Sequence, residues 1–200
     1  GFDVPKVLGS RTTNLAAGFG GVEGRLLAAG DRLAVQAPER SLTRWRPALG
    51  SSLRPQLADP VRIRITRGPE YHRLTAFSEQ TLTSEEFSVG PNSDPMGFRL
   101  NGPELFALDD TELLSSAACF GTVQLLPDCG LAVLMSDHQT TGGYPRIAVV
   151  AAVDLPRLAQ LRPGRSFRFE LIETRDAEGL LFEREQNLRF LKTGLRLARG

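Results

Sequence analysis

The sequence predicts a mainly β fold with a few short helices at its periphery. Three observations carry this. Apolar runs are short and rich in Val, Ile and Leu, as in Leu131–Met135 and Ile147–Val153, the length and composition of buried strands. Two other stretches alternate with period two: Val61-Arg62-Ile63-Arg64-Ile65, and Phe167, Phe169 and Leu171 set against Arg168 and Glu170. Twenty glycines and 13 prolines break the chain at short intervals, which favours strands and turns over a helical bundle. The hydrophobic fraction of 41% supports a real core. A net charge of +1 and the lack of a basic run give no electrostatic reason to expect nucleic acid or an anionic membrane as partner. No apolar run approaches the roughly 20 residues of a membrane span, and no signal-peptide pattern opens the chain. A cytoplasmic location is expected.

Residues 1–36 are glycine-punctuated. Gly18-Phe19-Gly20-Gly21-Val22-Glu23-Gly24-Arg25 invites comparison with a phosphate cradle, but Glu23 stands where a third glycine would be needed and no G-K-[ST] follows. A structural loop is the favoured reading. Leu26–Leu33 reads as strand, turn, strand. Residues 37–60 hold Pro38, Pro47, Pro55 and Pro60 without periodicity and read as a connection, with Trp45 anchoring it. From there to residue 200 the pattern is a second unit. It begins with the Val61–Ile65 strand, closed by Gly68-Pro69. A short helix is expected over 75–81, then strands at Phe87–Val89 and Phe98–Leu100, the second preceded by the turn-rich Gly90–Gly97. His72, with no ligand cluster beside it, reads as structural. Gly121–Leu126 is another strand, and Pro127–Gly130 turns the chain back. Asp154 reads as the N-cap of a helix over 155–161, with proline in its first turn. Ser166–Ile172 is a strand. Beyond about Ala177, leucines at 181, 188, 191 and 195 mark an amphipathic helix. Cys119 and Cys129 form no C-x-x-C pair, so two reduced thiols and no metal site are expected.

The loop between the apolar runs at 131–135 and 147–153 holds the chemistry. Ser136-Asp137-His138-Gln139-Thr140-Thr141-Gly142-Gly143-Tyr144-Pro145-Arg146 has far more functional groups than a turn requires. Asp137, His138 and Gln139 are the candidate catalytic residues. His138 leads them, since an imidazole exchanges protons near neutral pH. Asp137 orients a donor, binds a metal or acts as base. Thr140, Thr141 and the amides of Gly142 and Gly143 are candidates for holding an anionic oxygen. Tyr144 supplies a hydrogen bond or a stacking face, and Arg146 or Arg99 a charge for a carboxylate or phosphate. Ser93 and Asp94, in the 90–97 loop, are further candidate binding residues. The structural alternative is that His138 and Gln139 serve buried backbone, and that Gly142-Gly143 supply a positive-φ turn.

Several motifs in order resemble those of the allophanate hydrolase subunit 2, or KipA-like, family. They are Gly9-Ser10-Arg11-Thr12-Thr13-Asn14, Gly21-x-Glu23-Gly24-Arg25, Gly30-Asp31-x-Leu33, Thr83-Ser84-Glu85, Ser93-Asp94-x-Met96-Gly97-x-Arg99-Leu100, Gly121-Thr122-Val123-Gln124, and above all Leu134-Met135-x-Asp137-His138-Gln139-Thr140-Thr141-Gly142-Gly143-Tyr144-Pro145. Pro95 departs from the family pattern, which has arginine there, and Cys129 stands in a turn where a plainer Asp-Gly is usual.

The resemblance implies a cyclophilin-like β-barrel. It also implies that residues 1–36 are the end of an N-terminal subdomain whose first part is absent from this chain, with 61–200 the barrel. As activity it implies one component of an ATP-dependent amidohydrolase such as 5-oxoprolinase, which converts 5-oxoproline, ATP and water to glutamate, ADP and phosphate. The implied cofactor is ATP, with magnesium, in the complex. The implied partners are a KipI-like protein (allophanate hydrolase subunit 1, or the B subunit of 5-oxoprolinase), the A subunit of 5-oxoprolinase, and a small-molecule amide. Two alternatives remain: a non-catalytic regulator that binds a KipI-like kinase inhibitor, and the carboxyltransferase half of a urea carboxylase-type system. The second would bring in biotin; no A-M-K-M biotin-acceptor motif occurs here.

Overall fold

The computed structural model describes residues 1–36, 60–109 and 113–197. Trp45 and most of the expected connection lie outside the described residues. The chain divides into two compact units, Gly1–Ala48 and Leu49–Gly200.

The described part of the first unit is built from turns. Isolated bridges join Phe2 to Val35, Val7 to Ser10 and Asn14 to Phe19. The strands expected within Leu26–Leu33 are absent. Instead Asp31 folds the segment back on itself, accepting from the Ala28 N–H at 2.7 Å and from Arg25 Nη1 and Nη2 at 2.8 and 2.9 Å. A carboxylate that satisfies a local backbone donor competes with strand pairing. The Arg25 guanidinium, with the Ala28 N–H, draws the Asp31 carboxyl down to about 2. Glu23 and Gly24 both take positive φ (55° and 67°), so the 18–25 stretch is a tight structural loop.

Among the described residues, the second unit holds nine strands in chain order: β1 (Arg62–Arg67), β2 (Glu86–Val89), β3 (Gly97–Asn101), β4 (Ser116–Ala117), β5 (Thr122–Leu125), β6 (Leu131–Leu134), β7 (Thr141–Gly142), β8 (Arg146–Val150) and β9 (Ser166–Leu171). Seven of them form a closed barrel in the order β1-β8-β5-β6-β3-β2-β9, while β4 and β7 pair in a separate ribbon. A parallel β1–β9 ladder, Arg62 opposite Arg168 through Ile65 opposite Leu171, closes the ring. The mainly β structure that the alternation and punctuation predict is therefore present, and so is the barrel that the family resemblance implies. Alternation places Ile63 and Ile65, Phe87 and Val89, Val133, and Phe167 and Phe169 inside, each 2% exposed or less. Phe87, Phe167 and Phe169 pack against one another in the core. Phe169 lies edge-on to Phe167 with centroids 5.1 Å apart and tilted against Phe87 at 5.4 Å, arrangements that aromatic quadrupoles favour.

The helices are peripheral. α1 (Ala76–Ser84) starts at Thr75, whose hydroxyl accepts from the Ser78 N–H at 3.2 Å as an N-cap should. α2 spans only Leu155–Leu158, and Asp154 is no side-chain cap. It is fully buried and accepts from Arg64 N, Nε and Nη2 and from Arg157 Nη1 at 2.7–2.9 Å. An isolated buried carboxylate would be prohibitively costly, so two guanidiniums outcompete the cap. α3 (Thr174–Leu197) is one unbroken helix with no buried residue. Among the described residues, no helix is long and apolar enough to cross a membrane.

Candidate functional site

Strand order explains the central loop. β6 and β8 each pair antiparallel with β5, one on either edge, so they run parallel to each other. Parallel strands cannot be joined by a tight hairpin and need a crossover. Residues 135–145 are that crossover, carried along the outside of β5. Midway lies β7, paired with β4 so that Thr141 stands opposite Ala117 and Gly142 opposite Ser116. The Ala118 N–H donates to Thr140 O at 3.0 Å and extends the pairing.

The ribbon covers Thr122 and Gln124, the polar residues of β5. They are 1% and 2% exposed. Thr122 Oγ1 accepts from the Cys119 N–H at 3.2 Å. Gln124 Nε2 has no hydrogen-bond partner. Neither Gly142 nor Gly143 has positive φ, so a turn is not what they provide. A Cβ on Gly142 would stand 2.9 Å from Gln124 Nε2 and 3.6 Å from Gln139 Nε2, and one on Gly143 would stand 3.2 Å from Leu113 O. Glycine is needed here for close passage over β5.

The start of the crossover meets the 90–97 loop. The Asp137 N–H donates to Pro95 O and the Met135 N–H to Met96 O, both at 2.9 Å. The two polar loops, separate in sequence, thus lie side by side. Asp94 accepts from the Met96 and Gly97 N–H groups at 2.7 and 3.1 Å and shapes its own loop, while Ser93 Oγ donates to Arg99 O at 3.3 Å. Asp137 is exposed and accepts from Ser136 Oγ at 3.2 Å. His138 is half-buried, with Nδ1 2.6 Å from Gln139 O. A carbonyl only accepts, so Nδ1 carries the proton, and Nε2 of the neutral ring is left with a lone pair. That tautomer suits a general base. Gln139 and Thr140 are exposed.

The remaining candidates lie elsewhere. Arg99 extends along β6 to Asp128, in the turn at the far end of that strand from His138. Arg146 is closed on itself. Nε and Nη2 donate to the two oxygens of Glu70 at 2.9 and 2.7 Å, and Nη1 donates to Ala117 O at 2.6 Å. This pairing holds the Glu70 carboxyl below its usual range. Tyr144 is 46% exposed. With Leu113, Leu125, Phe106, Pro145 and the Arg73–Asp109 ion pair it lines a cleft of about 690 Å³. Among the described residues, no group of three or more His, Cys, Asp or Glu side chains is placed to hold a metal ion.

Sequence reasoning passed over Gln124 and Glu70. Thr122 and Gln124 alternate with Val123 and Leu125 in an otherwise apolar run, which signals a strand face buried under something polar. Glu70 gave no signal, since its partner lies 76 residues away.

Comparison with known proteins accords with this architecture. Residues 1–171 match the family model for the carboxyltransferase domain, subdomain A and B. The chain is 40% identical over 169 residues to the C subunit of 5-oxoprolinase from Escherichia coli, covering 84% of this chain and 53% of that protein. It is also 40% identical over 180 residues to the Haemophilus influenzae protein of that name, covering 90% and 56%. The chain thus spans about half the length of these relatives. The crystal structure of the K. lactis urea amidolyase superposes with a TM-score of 0.75 at 27% identity, over 93% of this chain and 12% of that one. With more than four-fifths of its residues inside the family model, the chain belongs to the carboxyltransferase domain, subdomain A and B, family.

Proposed function

We propose that this chain is part of a protein like the C subunit of 5-oxoprolinase, acting in a cytoplasmic complex that opens 5-oxoproline to glutamate with ATP. The observation that carries this is the 40% identity to two proteins of that name over 84–90% of the chain, against 29% to the urea amidolyase of Lachancea kluyveri. A subunit so lettered implies companions, and we take these to be the KipI-like B subunit, together with the A subunit, of the same enzyme.

A lactam carbon is a poor electrophile, so the reaction needs an activated leaving group and a base for water. In this reading His138 Nε2 takes a proton from the attacking water, and Nδ1–H···O of Gln139 holds the ring. Asp137, beside it, steadies the imidazolium that forms. ATP supplies the phosphoryl group that activates the amide oxygen. The candidate arginines do not fit a triphosphate at this site, because Arg146 and Arg73 are held by carboxylates of this chain, Glu70 and Asp109, and Arg99 reaches away from His138 to Asp128. We therefore route no step through ATP on these residues and assign the nucleotide to one of the companions.

The test is 5-oxoproline-dependent ATP hydrolysis with glutamate release, in the complete complex and in its His138→Ala variant. Turnover in the wild type that drops 10²–10⁴-fold in a still-assembled variant is the expected result, about the usual size of a general-base contribution. No turnover in an intact wild-type complex would sink the reading. The superposition on urea amidolyase favours a second reading, carboxyl transfer to a small amide. Biotin-dependent carboxylation of urea by the complex would decide for it.

A further inference from the structure

α3 is the element with an uncovered apolar face. It begins at Thr174, beyond residues 1–171 that match the family model. One side of it faces the rest of its unit. Arg184 Nη1 donates to Ala152 O at 3.3 Å, and Ala177, Leu180, Leu188, Leu191 and Leu195 on the same side are half-buried. The opposite side is apolar as well. Phe182, Phe190 and Leu197 are each at least 65% exposed, and at 3.6 residues per turn they fall within about 80° of arc. Three large apolar side chains in one line on a surface helix mark a contact face rather than scattered exposure.

The charges beside that face are sorted by sign. Residues 174–185 carry Asp176, Glu178, Glu183 and Glu185, whereas residues 186–197 carry Arg189, Lys192 and Arg196 and no acid. The helix dipole favours acids at the start and bases at the end, but its reach fades within a turn, and Glu183 and Glu185 lie well past the first turn. Glu178, Glu185, Arg189 and Arg196 border one edge of the apolar line, and Asp176 and Glu183 border the other. A second α3 laid parallel brings opposite edges together and sets Asp176 and Glu183 against Glu178 and Glu185. Laid antiparallel about a two-fold axis, it brings each edge against its own copy. With the axis level with Asn187, Glu185 meets Arg189 of the other copy and Glu178 meets Arg196. The same axis interleaves Phe182 with Phe190, and it sets Asp176 and Glu183 opposite the uncharged stretch of Asn187 and Gly194.

We infer that the outer face of α3 docks a second copy of this chain, the two helices running antiparallel across a two-fold axis level with Asn187. Such a contact is isologous, so it closes at two copies. The apolar line supplies the attraction. The charged edges set the direction, since like charges brought face to face are penalised. The acids of the first half also oppose an anionic lipid surface, which the basic half alone would attract. The inference is independent of the reaction proposed above and concerns how the chain assembles.

The experiment is sedimentation velocity of the full-length protein over a dilution series, with thermal melts beside it. Wild type should pass from monomer to dimer as concentration rises, and added salt should weaken the dimer without abolishing it. Phe182→Ser combined with Phe190→Ser should leave a monomer that melts close to dilute wild type, because both rings are exposed. Glu185→Lys and Arg189→Glu each set like charges together twice across the axis, so each variant alone should dimerise about tenfold more weakly. Mixed in equal amounts, the two should regain wild-type affinity, because each copy supplies the charge the other needs. That rescue cannot arise within a helix, where each variant keeps its own like-charged pair at i and i+4. A wild type that stays monomeric throughout overturns the proposal. So does a dimer that survives the paired serine changes, which places the contact elsewhere, and so does a mixture no tighter than the single variants, which removes the antiparallel pairing. A monomeric wild type whose serine variant releases a companion subunit from the complex would give the face to that companion and not to a second copy.

Discussion

Arg146 shows how one side chain joins the crossover to the rest of the barrel. Its fork grips Glu70 while a third nitrogen holds Ala117 O beside the ribbon. Side-chain exposures of 18% and 14% make this a largely desolvated pair. Removing one partner then strands the other charge. Arg146→Met should cost about 3 kcal/mol by urea denaturation. It should also loosen Gly143–Pro145, visible as faster amide exchange at Leu125, which donates to Pro145 O. The Glu70 carboxyl is depressed, first by the hydrogen bond from Arg146. Its contribution is therefore complete above the unfolded carboxyl value of about 4.3 and disappears as pH falls through the lower folded value. Wild type should lose stability against Glu70→Gln across that acid window and show a constant difference from about pH 6 to 8. Parallel curves throughout would remove Glu70 from this role.

Among the elements, β1 and α2 depend on Asp154. Its two oxygens take four donors from Arg64 and Arg157, linking the first strand to the segment after β8. Asp154→Ala should destabilise by about 3–5 kcal/mol, which is what leaving buried charge unpaired costs, and a double change with Arg64→Met should recover part of it. An additive double mutant would show that the pair is not coupled. α3 is the opposite case. It buries no residue and exposes Phe182, Phe190 and Leu197 by 65%, 74% and 78%. Ending the chain after Ile172 should therefore shift barrel stability by less than about 2 kcal/mol, measured by denaturant titration, because little apolar area is re-exposed. A larger loss would mean that the helix braces the barrel.

At the scale of the molecule, the barrel closes only when β1 meets β9, about a hundred residues later. Closure and the Phe87–Phe167–Phe169 cluster both depend on that distant pairing. Phe169→Ala should cost about 3–5 kcal/mol through lost burial and a cavity. Non-local pairing also implies slow folding, in the range of milliseconds to seconds. Stopped-flow refolding of the barrel unit would check this, and a microsecond phase carrying the full amplitude would contradict it.

The strands were legible in local pattern. Alternation at 61–65 and 166–172 and the apolar runs at 131–135 and 147–153 need no distant partner, since the two faces of a strand follow from its own period of two. The loop that concentrates chemistry was equally legible, because composition is read in place. How those pieces are used was settled by long-range packing. Nothing local says that β6 and β8 flank β5, so nothing local turns 135–145 from a hairpin loop into a crossover, or Gly142 from a turn residue into a point of close passage. Arg146 looks free in sequence because Glu70 is far along the chain, and Asp154 looks like a cap because Arg64 is 90 residues away. Gln124 lies in plain view inside an apolar run. That its amide meets no acceptor is a property of everything packed around it, and packing is decided by all the elements at once.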